Sequence, residues 1–165
     1  SDNSGELKTF HKGHYLARAI GGVGFIIFEA TAIEPKGRIS ANDLGLWHDS
    51  LIKAHKKLNK KIHSFGAKTA IQIAHAGRKC TVEDETPIAP SAIAFSENKP
   101  FKMPKAVTLE DIKNIKALFV KAAKKNKKAD FLLLRMDCFI YAEKFKPYQT
   151  DSLGNFNGIV LYKLR

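Results

Sequence analysis

Apolar positions along the chain alternate between two spacings. In TFHKGHYLARAIG, residues 9–21, Phe10, Tyr15, Leu16, Ala19 and Ile20 are spaced as on a short amphipathic helix closed by Gly21-Gly22. VGFIIFEATAI, residues 23–33, is a continuous apolar run and predicts a strand buried on both faces, as in a parallel sheet. HDSLIKAHKKLNKKIHSF, residues 48–65, sets Leu51, Ile52, Leu58, Ile62 and Phe65 against a lysine-rich side, which predicts a second helix ended by Gly66. KTAIQIAHA, residues 68–76, reads as a second buried strand. Thr108 and Asp111 form a capping-box pattern for a third helix with the stripe Ile112, Ile115, Leu118, Phe119 and Ala122. FLLL, residues 131–134, predicts a third strand. The order α-β-α-β-α-β with buried strands predicts an α/β fold with a parallel sheet and right-handed crossovers.

The remainder is less periodic. Residues 80–107 form a long connection with Pro87, Pro90, Pro100 and Pro104, and a connection of that length in a compact domain is usually functional. In the tail, residues 135–165, IVLY at 159–162 reads as a short strand or a helix fragment. The opening SDNSGELK reads as a loop, and the chain is expected to begin inside a larger architecture.

Composition narrows the picture. The chain has 165 residues, of which 44% are hydrophobic and 27% charged, values of a globular domain. No run of about 18 apolar residues exists, so no membrane partner is expected. Cys80 and Cys138 follow no metal or disulfide spacing, which points to a reducing compartment and a cytoplasmic location. The net charge is +12, from 23 Lys and 5 Arg among the 28 basic residues. Polyanion sites more often use Arg with interleaved aromatics, so a solvated lysine surface is favoured over a nucleic-acid partner.

In parallel βα architectures, function collects at the C-terminal ends of the strands. The ends here are Glu29-Ala30-Thr31, Gln72 to Arg78, and Arg135 to Cys138. Gln72 lies inside an apolar strand, and a buried amide needs a partner. It suits a heterocycle edge with alternating N–H and C=O groups, although on residue chemistry alone a core glutamine bonded to backbone is favoured. His75 and Arg78 could hold an anion or form a solvated cluster. His11 and His14 share helical spacing but lack a third ligand, so no metal site is expected.

Several of these segments occur together in one family. HYLARAIGGVGFIIFEATAIEPKGRIS, DLGLWHD, IQIAHAGRK and IAPSAIAF, in that order, resemble the Old Yellow Enzyme family over residues 1–134. The resemblance implies an FMN-dependent NAD(P)H oxidoreductase, an NADPH dehydrogenase or ene-reductase. FMN would sit at the mouth of a TIM (β/α)8 barrel, with NADPH or NADH as electron donor and a small-molecule substrate. It implies a partial barrel with residues 23–31, 68–76 and 131–136 as the family's strands two to four. Residues 1–134 would be the flavin-barrel portion and 135–165 a diverged tail of the same domain. Gln72 maps to the family's glutamine on the flavin pyrimidine edge, and Ala30 to a backbone contact with the flavin.

The chain also departs from the family pattern. The family's first strand and strands five to eight have no counterpart, and the last four carry its phosphate site. Such a chain implies weakened FMN affinity and an apolar face covered by the tail, by a homo-oligomer or by a missing partner segment. RMDCFIYAEKF, residues 135–145, stands where the family has His-x-x-His or His-x-x-Asn. Neither histidine is present, and Tyr141 falls near the family's proton-donating tyrosine. Two alternatives therefore stand beside the enzyme: a non-catalytic remnant and a basic polyanion-binding module.

Overall fold

A computed structural model describes residues 1–98, 100–129, 131–136 and 159–162. Helix α1 (Thr9–Ile20) leads into strand β1 (Phe25–Ala32), short strand β2 (Leu44–Gly45), helix α2 (Asp49–Ser64) and strand β3 (Lys68–Ala74). There follow β4 (Ile88–Ala89), β5 (Lys105–Ala106), helix α3 (Leu109–Lys128), β6 (Leu132–Met136) and β7 (Ile159–Tyr162). The main sheet has the order β2-β1-β3-β6-β7. Its first four strands are parallel, and β7 runs antiparallel to β6. Parallel neighbours cannot be joined by hairpins, so α2 and α3 carry the chain back between strands. IVLY is thus a strand, and the sheet is mixed rather than wholly parallel.

One core holds the three helices against the sheet. Tyr15 and Ala19 of α1, Ile52, Leu58 and Ile62 of α2, and Ala122 of α3 pack on Ile26, Phe28, Ile71 and Ile73. Phe28 stacks on Tyr15 and meets Phe131 edge to face. The opposite face differs from expectation. Phe25 and Ile27 are 41% and 45% exposed, so the run 23–33 alternates where burial on both faces was predicted. All three helices stack on one side, and among the described residues no layer covers these two side chains.

The predicted helices form, with shifted faces. The buried arc of α1 is His11, Tyr15 and Ala19, spaced i, i+4, i+8; Phe10 and Ile20 lie off that arc and are exposed. In α2, His55 and Asn59 join the apolar residues in the core. Asn59 donates to the Ala129 carbonyl at 3.0 Å and accepts from the Thr69 hydroxyl, so it joins α2 to β3 and to the end of α3. Thr108 caps α3 through the predicted box: its hydroxyl accepts the Asp111 N–H at 3.1 Å, and Asp111 accepts the Thr108 N–H at 2.9 Å. Ile112, at the start of the predicted stripe, is exposed.

The long connection has structure of its own. β4 and β5 pair in parallel. The Lys102 ammonium donates to the carbonyls of Val82 and Glu85 at 3.2 Å each, and to that of Glu83. At the other end of the chain, residues 1–7 dock on the loop before α2. Gly45 donates to the Gly5 carbonyl at 2.9 Å. The buried Arg38 guanidinium donates to the Asn3 and Pro35 carbonyls at 3.0 and 2.8 Å.

Candidate functional site

The register of β1 on β3 breaks at one place. Phe28 pairs with Ile71 and Thr31 with Ile73, so Glu29 and Ala30 together face Gln72. That is a one-residue bulge, a feature common at barrel rims and beside active sites. Its effect is one of parity. Phe25 and Ile27 lie on the face away from the helices, and continued alternation would add Glu29 and Thr31 to it. The bulge puts Ala30 there instead, beside Gln72. Thr31 turns to the helix side and is fully buried.

Glu29 is held by α1. Its carboxylate accepts the Tyr15 hydroxyl at 3.0 Å, and its backbone N–H donates to the same oxygen at 3.0 Å. Burial pushes the Tyr15 phenol well above its ordinary pKa, so it stays protonated and can donate. His11 lies on the same side, with Nε2 3.9 Å from the Glu29 carboxylate. Its Nδ1 accepts the Lys8 N–H at 3.0 Å, and burial lowers its pKa. His14 points outward and lies against Phe10. The two histidines therefore diverge, and no metal-binding group of three His, Cys, Asp or Glu exists among the described residues.

Gln72 is half-buried, and its amide makes no hydrogen bond to a described residue. Around it stand small side chains: Ala30 beside it, with Ala70 and Ala74 two residues away on β3. The result is a narrow shelf at the strand ends, with a donor and an acceptor in its middle and the buried Ala70 and Ala74 on either side. A planar group with alternating N–H and C=O functions, such as the pyrimidine edge of a flavin, fits that donor set.

The residues just past the shelf are already engaged. His75 Nε2 lies 2.9 Å from Glu34, and His75 Nδ1 accepts the Gly77 N–H at 3.0 Å. A carboxylate thus occupies the place where an anion was considered. Arg78 and Lys79 lie over the Phe95 ring at 5.8 and 4.5 Å. Cys80 is fully buried, which pushes its thiol pKa up and leaves it without nucleophilic character. Tyr141 lies outside the described residues, as does Cys138.

The structure therefore brings Ala30 and Gln72 together on adjacent strand ends. Tyr15 and the Glu34–His75 pair were missed. Glu29 inside an apolar run was a signal for the first, since a carboxylate there needs a partner. The second joins residues 41 apart and has no local signal.

Comparison with known proteins gives a consistent result. Residues 1–134 match the model of the NADH:flavin oxidoreductase / NADH oxidase family. An NADPH dehydrogenase of Clostridium acetobutylicum is 49% identical over 131 residues, covering 79% of this chain and 38% of that protein. An NADPH dehydrogenase of Listeria monocytogenes is 48% identical over 160 residues, 95% of this chain and 46% of that one. Among solved structures, Old Yellow Enzyme from Pichia sp. superposes with a TM-score of 0.73 at 27% identity, over 81% of this chain and 38% of that chain. Morphinone reductase in complex with tetrahydroNAD gives 0.69 at 28% identity, over 79% and 40%. The chain thus spans less than half the length of these relatives. Its parallel strands and helices form part of a TIM barrel of the Old Yellow Enzyme type. By a match that runs over residues 1–134 of 165, the chain belongs to the NADH:flavin oxidoreductase / NADH oxidase family.

Proposed function

We propose that this chain supplies one wall of an FMN site in an NAD(P)H oxidoreductase of the Old Yellow Enzyme type. The observation that carries the reading is Gln72: a half-buried amide with no protein partner among the described residues, set beside the small residue that the bulge aims onto the same face. Bound FMN would supply hydride transfer from NADPH or NADH to an activated alkene or another small acceptor, chemistry that no side chain provides. The chain's own residues bind and orient. Gln72 offers its N–H and C=O to the pyrimidine edge. Ala30 lets backbone approach the ring. Tyr141 is the candidate proton donor by resemblance. The same reading takes residues 1–134, the extent of the family match, as the flavin-barrel portion and 135–165 as its diverged tail. It also places the protein in the cytoplasm. No described helix is long and apolar enough to cross a membrane.

A second reading is a non-catalytic remnant. RMDCFIYAEKF favours it, because that segment lacks the histidine pair by which the family grips its substrate. One experiment separates the two. FMN is mixed with the purified chain, excess is removed by gel filtration, and the protein peak is scanned for flavin absorbance. The enzyme reading expects a retained flavin band, and an affinity about tenfold weaker in Gln72→Ala, the equivalent of one lost hydrogen bond. A colourless protein peak, or a Gln72→Ala variant that binds like the parent, refutes it.

A further inference from the structure

We propose that Glu34 and His75 form a positioning pair that locks together the two strand ends carrying Ala30 and Gln72, and so sets how tightly that shelf holds its ligand. The proposal rests on the FMN reading above for the ligand's identity, and on geometry alone for the lock.

Glu34 follows Ala30 by four residues, and His75 follows Gln72 by three. Each lies just past its own strand, β1 or β3. The His75 ring is 3% exposed and the Glu34 side chain 15%, so the contact is shielded from water. The Gly77 N–H donates to Nδ1 at 3.0 Å. That bond leaves the ring proton on Nε2, where it is donated to Glu34 at 2.9 Å. Among the described residues Glu34 has one further cation nearby, Lys36, with its ammonium 3.9 Å away. The ring fits closely: a Cβ at Gly37 would come within 3.0 Å of His75 Cδ2. Backbone bonds run beside the pair. Ile33 donates to the Ala74 carbonyl at 3.2 Å, Ala76 to the Gly37 carbonyl at 2.8 Å, and Thr81 to that of Ile39 at 2.7 Å.

These contacts tie the loop after β1 to the turn after β3. The β1–β3 ladder ends at the Ala32–Ala74 pair, whose last bond is the Ile33 N–H to the Ala74 carbonyl. Beyond that point, the spacing of the two strand ends depends on this side-chain pair and its neighbouring backbone bonds. A shielded carboxylate whose partner is removed loses its compensation and moves toward water. The loop would move with it, and the Ala30–Gln72 distance would no longer be held.

The test uses the full 165-residue chain and two readouts. One is the FMN dissociation constant, followed by flavin absorbance. The other is amide hydrogen exchange at Ile33, Ala76 and Thr81. Glu34→Ala and His75→Ala are expected to weaken FMN binding about tenfold or more and to speed exchange at those amides. Glu34→Gln keeps an acceptor for Nε2–H and is expected to retain binding within about threefold. Leu58→Ala, in the main core, is the control for general loss of stability: it should speed exchange across the whole sheet alike, whereas the lock variants speed it at residues 33–39 and 74–81. If an alanine variant does not fold, Glu34→Asp, one methylene short of the ring, is measured in its place. Parent-like FMN binding together with parent-like exchange in the disruptive variants overturns the proposal. If the parent itself binds no FMN, the flavin reading fails and exchange alone decides: acceleration confined to residues 33–39 and 74–81 supports the lock, and unchanged exchange sinks it.

Discussion

Replacing Tyr15 with Phe removes one oxygen and keeps the ring, which stacks on Phe28 with centroids 4.0 Å apart. Packing is therefore nearly preserved, and the change isolates what the hydroxyl does. That oxygen donates to the Glu29 carboxylate and accepts the Glu29 N–H, both at 3.0 Å. The two bonds differ in worth. The Glu29 side chain is 48% exposed, so water can replace the phenol at the carboxylate, and that bond contributes little net stability. The N–H belongs to the bulge, where the ladder to β3 is interrupted. Leaving a part-buried backbone N–H unpaired costs about 1–3 kcal/mol. A loss of about 2 kcal/mol follows for Tyr15→Phe. With an m-value of about 2 kcal/mol per molar urea, the unfolding midpoint should fall by about 1 M with the slope unchanged. A fall smaller than about a quarter of that would refute the reasoning. It would show that water satisfies the bulge and that α1 does not hold it.

Two further perturbations test other parts of the fold. His55 is fully buried, donates from Nδ1 to the Leu51 carbonyl at 2.8 Å and has no partner at Nε2 among the described residues. Burial lowers its pKa to about 4 from an ordinary 6.5. The unfolded chain therefore binds this proton first, so the stability from neutral His55 is complete above pH 6.5 and is lost as pH falls toward 4. The loss amounts to about 3 kcal/mol. Urea titrations of the parent and His55→Met between pH 7 and 4.5 should show a shallower pH dependence in the variant, and identical slopes would contradict the assignment. Gly5 has φ +75°, and a Cβ there would meet the Trp47 ring at 2.5 Å. Gly5→Ala should release the N-terminal segment from the loop before α2, seen as a changed Trp47 fluorescence maximum and faster exchange at the Gly45 amide; an unchanged spectrum and exchange rate would show that the docking does not depend on this approach.

What was legible in the sequence rests on short-range physics. Helix and strand periods repeat within a few residues, so α1, α2, α3, β1, β3 and β6 could be placed from spacing. The Thr108–Asp111 box lies within four residues and could be read directly. Gln72 stood out because an amide in an apolar strand is locally anomalous, and parallel topology places it at a strand's C-terminal end. The buried polar residues of α2 were not legible. In a lysine-rich helix, His55 and Asn59 look like solvent positions until β3 and the end of α3 are packed against them. Burial of β1 was overread, because a continuous apolar run does not show whether a second layer covers it.

The sequence by itself determined the three helices and the strands β1, β3 and β6, and which side chains stand at their ends, because those follow from local propensity and period; β2, β4 and β5, two residues each, carry no period to read. Only the tertiary structure decided that a single extra residue at 29–30 turns Glu29 toward Tyr15 and Ala30 toward Gln72. It also decided that Glu34 and His75 meet across 41 residues. Register and side-chain pairing across strands depend on contacts distant in the chain, and no local pattern carries that information.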